Sequence, residues 1–293
     1  MKDKQEIVSN WLPRYTGLAL EEFGEHILLT NFGGYLDTFS RLTGAPIVGL
    51  DRPMPSATAD GITMINFGMG SANAATMMDL LSAVRPKAAL FLGKCGGLKK
   101  KNAIGDLILP IAAIRGEGTS NDYFPPEVPA LPAFNLQKAV STTIRNYGRD
   151  YWTGTVYSTN RRVWEHDEAF KEYLRRIRAM AIDMETATVF ITGFHNKIPA
   201  GALLLVSDQP MVPEGIKTVE SDQRVSSEII DCRADGCHGV GSRIRVFVAQ
   251  ISKGAFEVFQ RTCRIDYRRH GFGRAGASSV ARRCIQACTA SAL

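Results

Sequence analysis

At 293 residues the chain can hold one large α/β domain or two small ones, and a 45% hydrophobic content is ample for a core. It has no run of about 18 apolar residues to span a bilayer, and its start, Met1-Lys2-Asp3-Lys4-Gln5-Glu6, is charged without the apolar stretch of a secretory signal, so the cytoplasm is the expected location. A net charge of +6 suggests acidic partners, but residues 229–293 hold 11 basic and 4 acidic side chains against 24 and 25 in the first 228, so the body is nearly neutral.

A first strand is expected at 27–30, leading through Thr30-Asn31-Phe32-Gly33-Gly34 into a helix at 35–43, with a further strand at 46–50. The apolar run 62–67 reads as a strand that stops at Phe67-Gly68-Met69-Gly70-Ser71. There Ser71 can cap a helix over 71–84, ended by Arg85-Pro86. A glycine turn entering a helix presents free N–H groups to an anion or a sugar oxygen. It is not a dinucleotide fingerprint, because Asn73 stands where the third glycine belongs, and no Gly-Lys-Ser/Thr closes a phosphate loop.

The strand at 88–92 runs into Gly93-Lys94-Cys95-Gly96-Gly97, where glycines would let the backbone approach a ligand. A strand at 106–114 precedes a long Gly- and Pro-rich loop over 115–134, the kind that forms lids or interface arms. Then come a helix at 136–147, a strand at 152–158, a helix at 167–178, a helix at 185–196 and a strand at 199–206. This alternation predicts an α/β fold, a three-layer sandwich around a mostly parallel, mixed central sheet.

Two carboxylates stand out. Asp208 follows the last strand, at the end where ligands sit in open α/β sheets, and Glu185 begins the helix that leads to that strand. One can hold hydroxyls while the other donates a proton; the alternative is an aspartate that merely caps the next turn. His26, His166 and His195 read as structural, and no His/Asp/Glu group has metal-ligand spacing.

The order Phe67-Gly68-Met69-Gly70, Gly93-Lys94-Cys95-Gly96-Gly97-Leu98 with Ile104-Gly105-Asp106, Asp183-Met184-Glu185 and Val206-Ser207-Asp208 resembles the purine nucleoside phosphorylase and nucleosidase superfamily over residues 25–225. The stretch 115–126, Thr159-Asn160-Arg161-Arg162-Val163-Trp164 and Pro213-Glu214-Gly215-Ile216-Lys217-Thr218 resemble its AMP nucleosidase branch. The resemblance implies a nucleoside phosphorylase-like fold and cleavage of the glycosidic bond of AMP to adenine and ribose 5-phosphate, with no cofactor and no metal. By it, Asp208 matches the acid at N7, Glu185 the acceptor of the ribose hydroxyls and Met184 the floor under the sugar. Ser207, Cys95, Gly96 and Gly70 fall in the matching segments as substrate-binding positions. It also implies a homo-oligomer, dimers grouped into a hexamer.

Phosphorylases of that superfamily grip phosphate with arginines and a serine. Here Phe91 stands at one such arginine position and Lys94 at the serine, which favours water as the nucleophile. Lys94, Arg161, Arg162 and Lys217 are the candidate partners of a 5′-phosphate, with ordinary solvated arginines as the alternative. The competing functions are a nucleoside phosphorylase or general nucleosidase and, outside the enzymes, nucleic-acid binding through the tail.

Residues 1–228 are thus the expected nucleosidase domain. The remainder is an atypical basic tail with five of the six cysteines (Cys232, Cys237, Cys263, Cys284, Cys288) in no zinc or disulfide pattern. Its sudden Arg, Cys and Gly richness, with no aromatic interleaving, favours sequence read out of frame over a genuine nucleic-acid-binding arm.

Overall fold

The computed structural model describes residues 2–146 and 148–215; the boundary at 228, the tail and Lys217 lie outside the described residues. The chain opens on a helix that the sequence reading passes over, α1 (Lys4–Thr16). Asp3 accepts from the Glu6 N–H at 2.8 Å, and Glu6 accepts from the Asp3 N–H at 3.2 Å. This reciprocal cap satisfies two otherwise orphaned donors, while Val8 and Leu12 face the core.

There follow β1 (His26–Thr30), α2 (Gly33–Thr43), β2 (Ser56–Ala59), β3 (Ile62–Asn66), α3 (Ser71–Leu80), β4 (Ala88–Gly97) and β5 (Leu107–Gly116). The second half holds α4 (Phe134–Asn146), β6 (Trp152–Thr159), α5 (Glu168–Arg176), β7 (Ala181–Asp183), α6 (Thr186–His195) and β8 (Ala200–Asp208). The strands form one mixed sheet in the order β2-β3-β1-β4-β7-β6-β5-β8, with β4 also paired to β8. That last pairing closes β4, β7, β6, β5 and β8 into a ring, where the sequence reading expected an open sheet. The pairs β2–β3, β4–β7 and β5–β8 are antiparallel, and the other five are parallel.

Ring closure depends on β4 running past the expected end at Leu92. Residues 93–95 keep register with Leu204, Leu205 and Val206 of β8, and Gly96 and Gly97 pair with Ile182 and Ala181 of β7. Glycine is required there chiefly by the protein itself. A Cβ on Gly93 would lie 2.5 Å from the Phe91 ring, and one on Gly96 would lie 2.8 Å from Pro210. These glycines are strand residues under close packing rather than a free ligand-cradling loop.

The strand expected at 46–50 reduces to a single bridge between Val48 and Ser56. Gly49 turns the chain away at φ 68°, and the Thr16 carbonyl occupies the space a side chain there would need. The strand lies instead at β2, whose Ser-Ala-Thr-Ala sequence carries no apolar signal. The long loop after β5 is held down rather than loose. The Arg115 guanidinium donates to Ser120 Oγ, Asn121 Oδ1 and the carbonyls of Ser120, Phe124, Pro125 and Val128 at 2.6–3.0 Å. No helix among the described residues is long and apolar enough to cross a membrane.

Candidate active site

The carboxyl ends of β1, β4, β6 and β8 and the turn from β7 into α6 meet around an open cleft of about 140 Å³. Asp208, Ser207, Glu185 and Met184 line it, as do Lys94, Cys95 and Gly96 from the end of β4 and Arg161 and Arg162 after β6. Gly70 is not part of the wall, yet it belongs to the site: its N–H donates to Glu185 Oε1 at 2.7 Å. Gly70 reaches that geometry with φ 96°, a conformation open to glycine.

Glu185 is 2% exposed. Its other oxygen accepts from the Met184 N–H at 3.2 Å, and the Asn31 side chain also bonds to it. Burial and the neighbouring Asp183 carboxylate raise its pKa from an ordinary 4.5 to about 7, against these three hydrogen bonds. Asp183 is itself buried, and burial pushes its carboxyl upward. It accepts from Ser158 Oγ at 2.6 Å, from the Thr186 N–H at 2.8 Å and from Thr186 Oγ1, which fixes the start of α6 and thereby the place of Glu185.

Because Glu185 binds its proton more tightly folded than unfolded, the linked stability is fully present below about pH 4.5 and is lost as pH rises through about 7. The shift corresponds to stabilisation on the order of 3 kcal/mol. Unfolding free energy from urea titration should decline between pH 5 and pH 8, and Glu185→Gln should make that decline shallower by about 2 kcal/mol. A decline of equal depth in the variant would place the slope in other groups.

Asp208 is tied to its neighbours by Ser207, whose Oγ donates to Asp208 Oδ1 at 2.6 Å and approaches the Cys95 carbonyl at 3.3 Å. Cys95 is buried, its thiol pushed well up by burial and by the nearby Asp183 and Asp208 carboxylates, so it stays neutral against the site.

The cations are less simply disposed. Lys94 Nζ lies 4.4 Å from the centre of the Phe32 ring. Arg161 pairs with Asp167 at 3.0 Å and Arg162 with Glu165 at 3.4 Å, all four side chains being partly solvated. Exposed pairs of this kind contribute about 0–1 kcal/mol. Both guanidinium groups can therefore change partners at small cost.

Phe91, at the position where the resemblance sets a phosphate-binding arginine, is fully buried against Phe67, ring centres 5.6 Å apart. It points into the core beneath Gly93 and offers nothing to a dianion. Sequence reasoning missed Asn31, Asp183 and Trp164 as parts of the site. The motif around Asp183 is visible in the sequence but its capping role is not, and Asn31 sits in the loop between the first strand and its helix with nothing in the sequence to mark it. Trp164, 4% exposed, forms a wall of the cleft and meets the Phe170 ring edge-on. Among the described residues no group of three or more His, Cys, Asp or Glu side chains could hold a metal ion.

The phosphorylase superfamily model matches residues 47–232. AMP nucleosidase of Escherichia coli K12 is 33% identical over 246 residues, covering 68% of this chain and 51% of that protein, so the chain spans about half the length of these curated relatives. Guanosine phosphorylase of Halorubrum lacusprofundi is 29% identical over 60% of this chain and 73% of its own length. The crystal structure of AMP nucleosidase from Bacteroides thetaiotaomicron is 54% identical and superposes with a TM-score of 0.73, covering 89% of this chain and 100% of that one. A uridine phosphorylase structure from Vibrio fischeri, 19% identical with a TM-score of 0.65, shares the nucleoside phosphorylase-like fold. The chain belongs to the phosphorylase superfamily, in the branch that holds the AMP nucleosidases.

Proposed function

We propose that this cleft hydrolyses the N-glycosidic bond of AMP to adenine and ribose 5-phosphate, with neither cofactor nor metal. The observation that carries the reading is that Asp208 and Glu185 share one cleft while the position expected to grip an attacking phosphate is a buried phenylalanine. Water attacks C1′ as the C1′–N9 bond breaks, the bonding electrons pass to the base, and the proton that the water sheds goes to solvent, from which Asp208 is protonated again for the next turnover. Asp208 delivers a proton to N7, so adenine departs neutral. Ser207 holds the Asp208 carboxyl in place.

Glu185 takes the ribose hydroxyls, and Met184 lies under the ring as it flattens and gains positive charge. Interactions with the hydroxyls that strengthen as the sugar becomes cationic lower the barrier rather than merely tightening binding. Gly70 serves by holding Glu185, and Cys95 and Gly96 form the wall beside the base. Lys94, Arg161 and Arg162 receive the 5′-phosphate. The wider proposal is a cytoplasmic enzyme with a three-layer arrangement around its sheet, working as a homo-oligomer, hexameric by resemblance.

The cations test the nucleotide assignment. Neutralising Lys94, Arg161 or Arg162 one at a time should reduce kcat/KM for AMP more than for adenosine. The AMP preference should narrow by about 3–10-fold each, below the value of a fully buried charged contact because the arginines are partly solvated. Three variants that all keep the parent's AMP-to-adenosine ratio would place the phosphate pocket elsewhere. A parent with no preference for AMP would leave a general nucleosidase.

A further inference from the structure

Gly70 stands directly before α3 and Glu185 directly before α6, so the 2.7 Å bond between them is set by the spacing of two helix starts. The loop after β5 bridges the two helices at that same end. Glu117, 3% exposed, accepts at 2.6 Å from the hydroxyl of Thr188, a fully buried residue in the first turn of α6. Thr119 Oγ1 shares a 2.8 Å hydrogen bond with the hydroxyl of Ser71, the first residue of α3 and the neighbour of Gly70. Farther along the loop, the Tyr123 hydroxyl donates to Asp79 of α3 at 2.7 Å, and Asp79 in turn accepts from Asn196, just past α6, at 2.9 Å.

Glu117 is itself well fixed. Its Oε2 accepts from the Gly118 N–H at 2.8 Å, and its Oε1 accepts from the Ser120 N–H at 3.2 Å besides the Thr188 hydroxyl. Burial penalises a carboxylate, yet a carboxylate accepts stronger hydrogen bonds than a neutral oxygen does. Three donors converging on one buried carboxylate make a firm anchor between the loop and α6.

We propose that Glu117 is a positioning residue for the reaction: through Thr188 on one side and the Thr119–Ser71 contact on the other, it clasps α3 to α6 and so holds Glu185 in its bond from Gly70. The proposal rests on the reading above of Glu185 as the acceptor of the ribose hydroxyls. Glu117 is not among the residues that line the cleft, so it acts only through others. Small displacements of a group that must meet the reacting sugar are costly to rate, which gives a clasp behind the site its effect on the chemistry.

The test compares two changes at one position. Thr188→Val keeps the shape and removes the hydroxyl that Glu117 holds, whereas Thr188→Ser keeps the hydroxyl and loses a methyl group. Hydrogen exchange at the Gly70 amide, followed by NMR, reports the Gly70–Glu185 bond without any substrate. It should quicken by about 10-fold in Thr188→Val and stay within about 2-fold of the parent in Thr188→Ser. For AMP, kcat/KM should fall by about 5–10-fold in Thr188→Val, recover in Thr188→Ser, and change by less than about 2-fold when Thr188→Val is added to Glu185→Gln. Lost packing alone would make serine the worse of the two. Thr119→Val cuts the clasp on the α3 side, should give the same pattern, and stands in if Thr188→Val unfolds. Parent-like exchange at Gly70 in a folded Thr188→Val variant, or an equal fractional loss with and without the Glu185 carboxylate, would overturn the proposal. Absence of adenine release from AMP by the parent would sink the hydrolytic reading, whereas the exchange comparison would still decide the clasp.

Discussion

Asp208→Asn should lower kcat on AMP by about 10²–10⁴-fold, the usual value of general acid catalysis, while leaving the fold intact. The substitution keeps an oxygen to accept the 2.6 Å bond from Ser207 Oγ, so the end of β8 has no reason to move. It removes the transferable proton. Adenine would then have to leave as an anion, and the cost falls on the transition state alone, so KM should change little. Adenine release in single turnovers, with unfolding curves as the control, measures this. Full turnover in a folded variant would remove Asp208 from the mechanism.

Glu185→Gln is expected to be the second largest loss, about 10–150-fold in kcat/KM, from a charged hydrogen bond worth about 1.5–3 kcal/mol. The effect should reach kcat as well as KM, because a carboxylate held beside a developing ribosyl cation is favoured more in the transition state than in the ground state. In the parent, activity should fall as pH drops through about 7, where Glu185 takes up a proton and ceases to be an anion. That limb should be absent in Glu185→Gln. A parent substrate lacking the 2′-hydroxyl should be cleaved poorly and should lose little more in the variant. An equal fractional loss on both substrates would contradict the assigned contact.

The two carboxylates were legible because each stands where an element begins or ends, and chemistry at the ends of strands is a property of the α/β class. Gly70 was legible as a turn glycine, but not its bond to a residue 115 positions away, which only the assembled sheet brings near. Ring closure was hidden by its smallest parts. β7 has three residues, too short for any periodicity, and the glycine run after Leu92 looks like a loop while pairing as a strand. β2, Ser-Ala-Thr-Ala at a sheet edge, has no large apolar residue to mark it in the sequence, although Ser56 and Ala57 are fully buried. The arginines were found as cleft residues, whereas their engagement with Asp167 and Glu165 was readable only in part, as carboxylates six and three residues on. Asn31 gave no signal at all, because a single amide in a loop becomes informative only when its partners are known.

Water rather than phosphate as the nucleophile is the central claim, and it rests on Phe91 filling core space where an anion would need a cation. The direct measurement incubates the protein with AMP and with adenosine, each with and without inorganic phosphate, and identifies the sugar product. Adenine and ribose 5-phosphate should form from AMP at the same rate whether or not phosphate is present. Ribose 1-phosphate from adenosine, formed only when phosphate is supplied, would contradict the account.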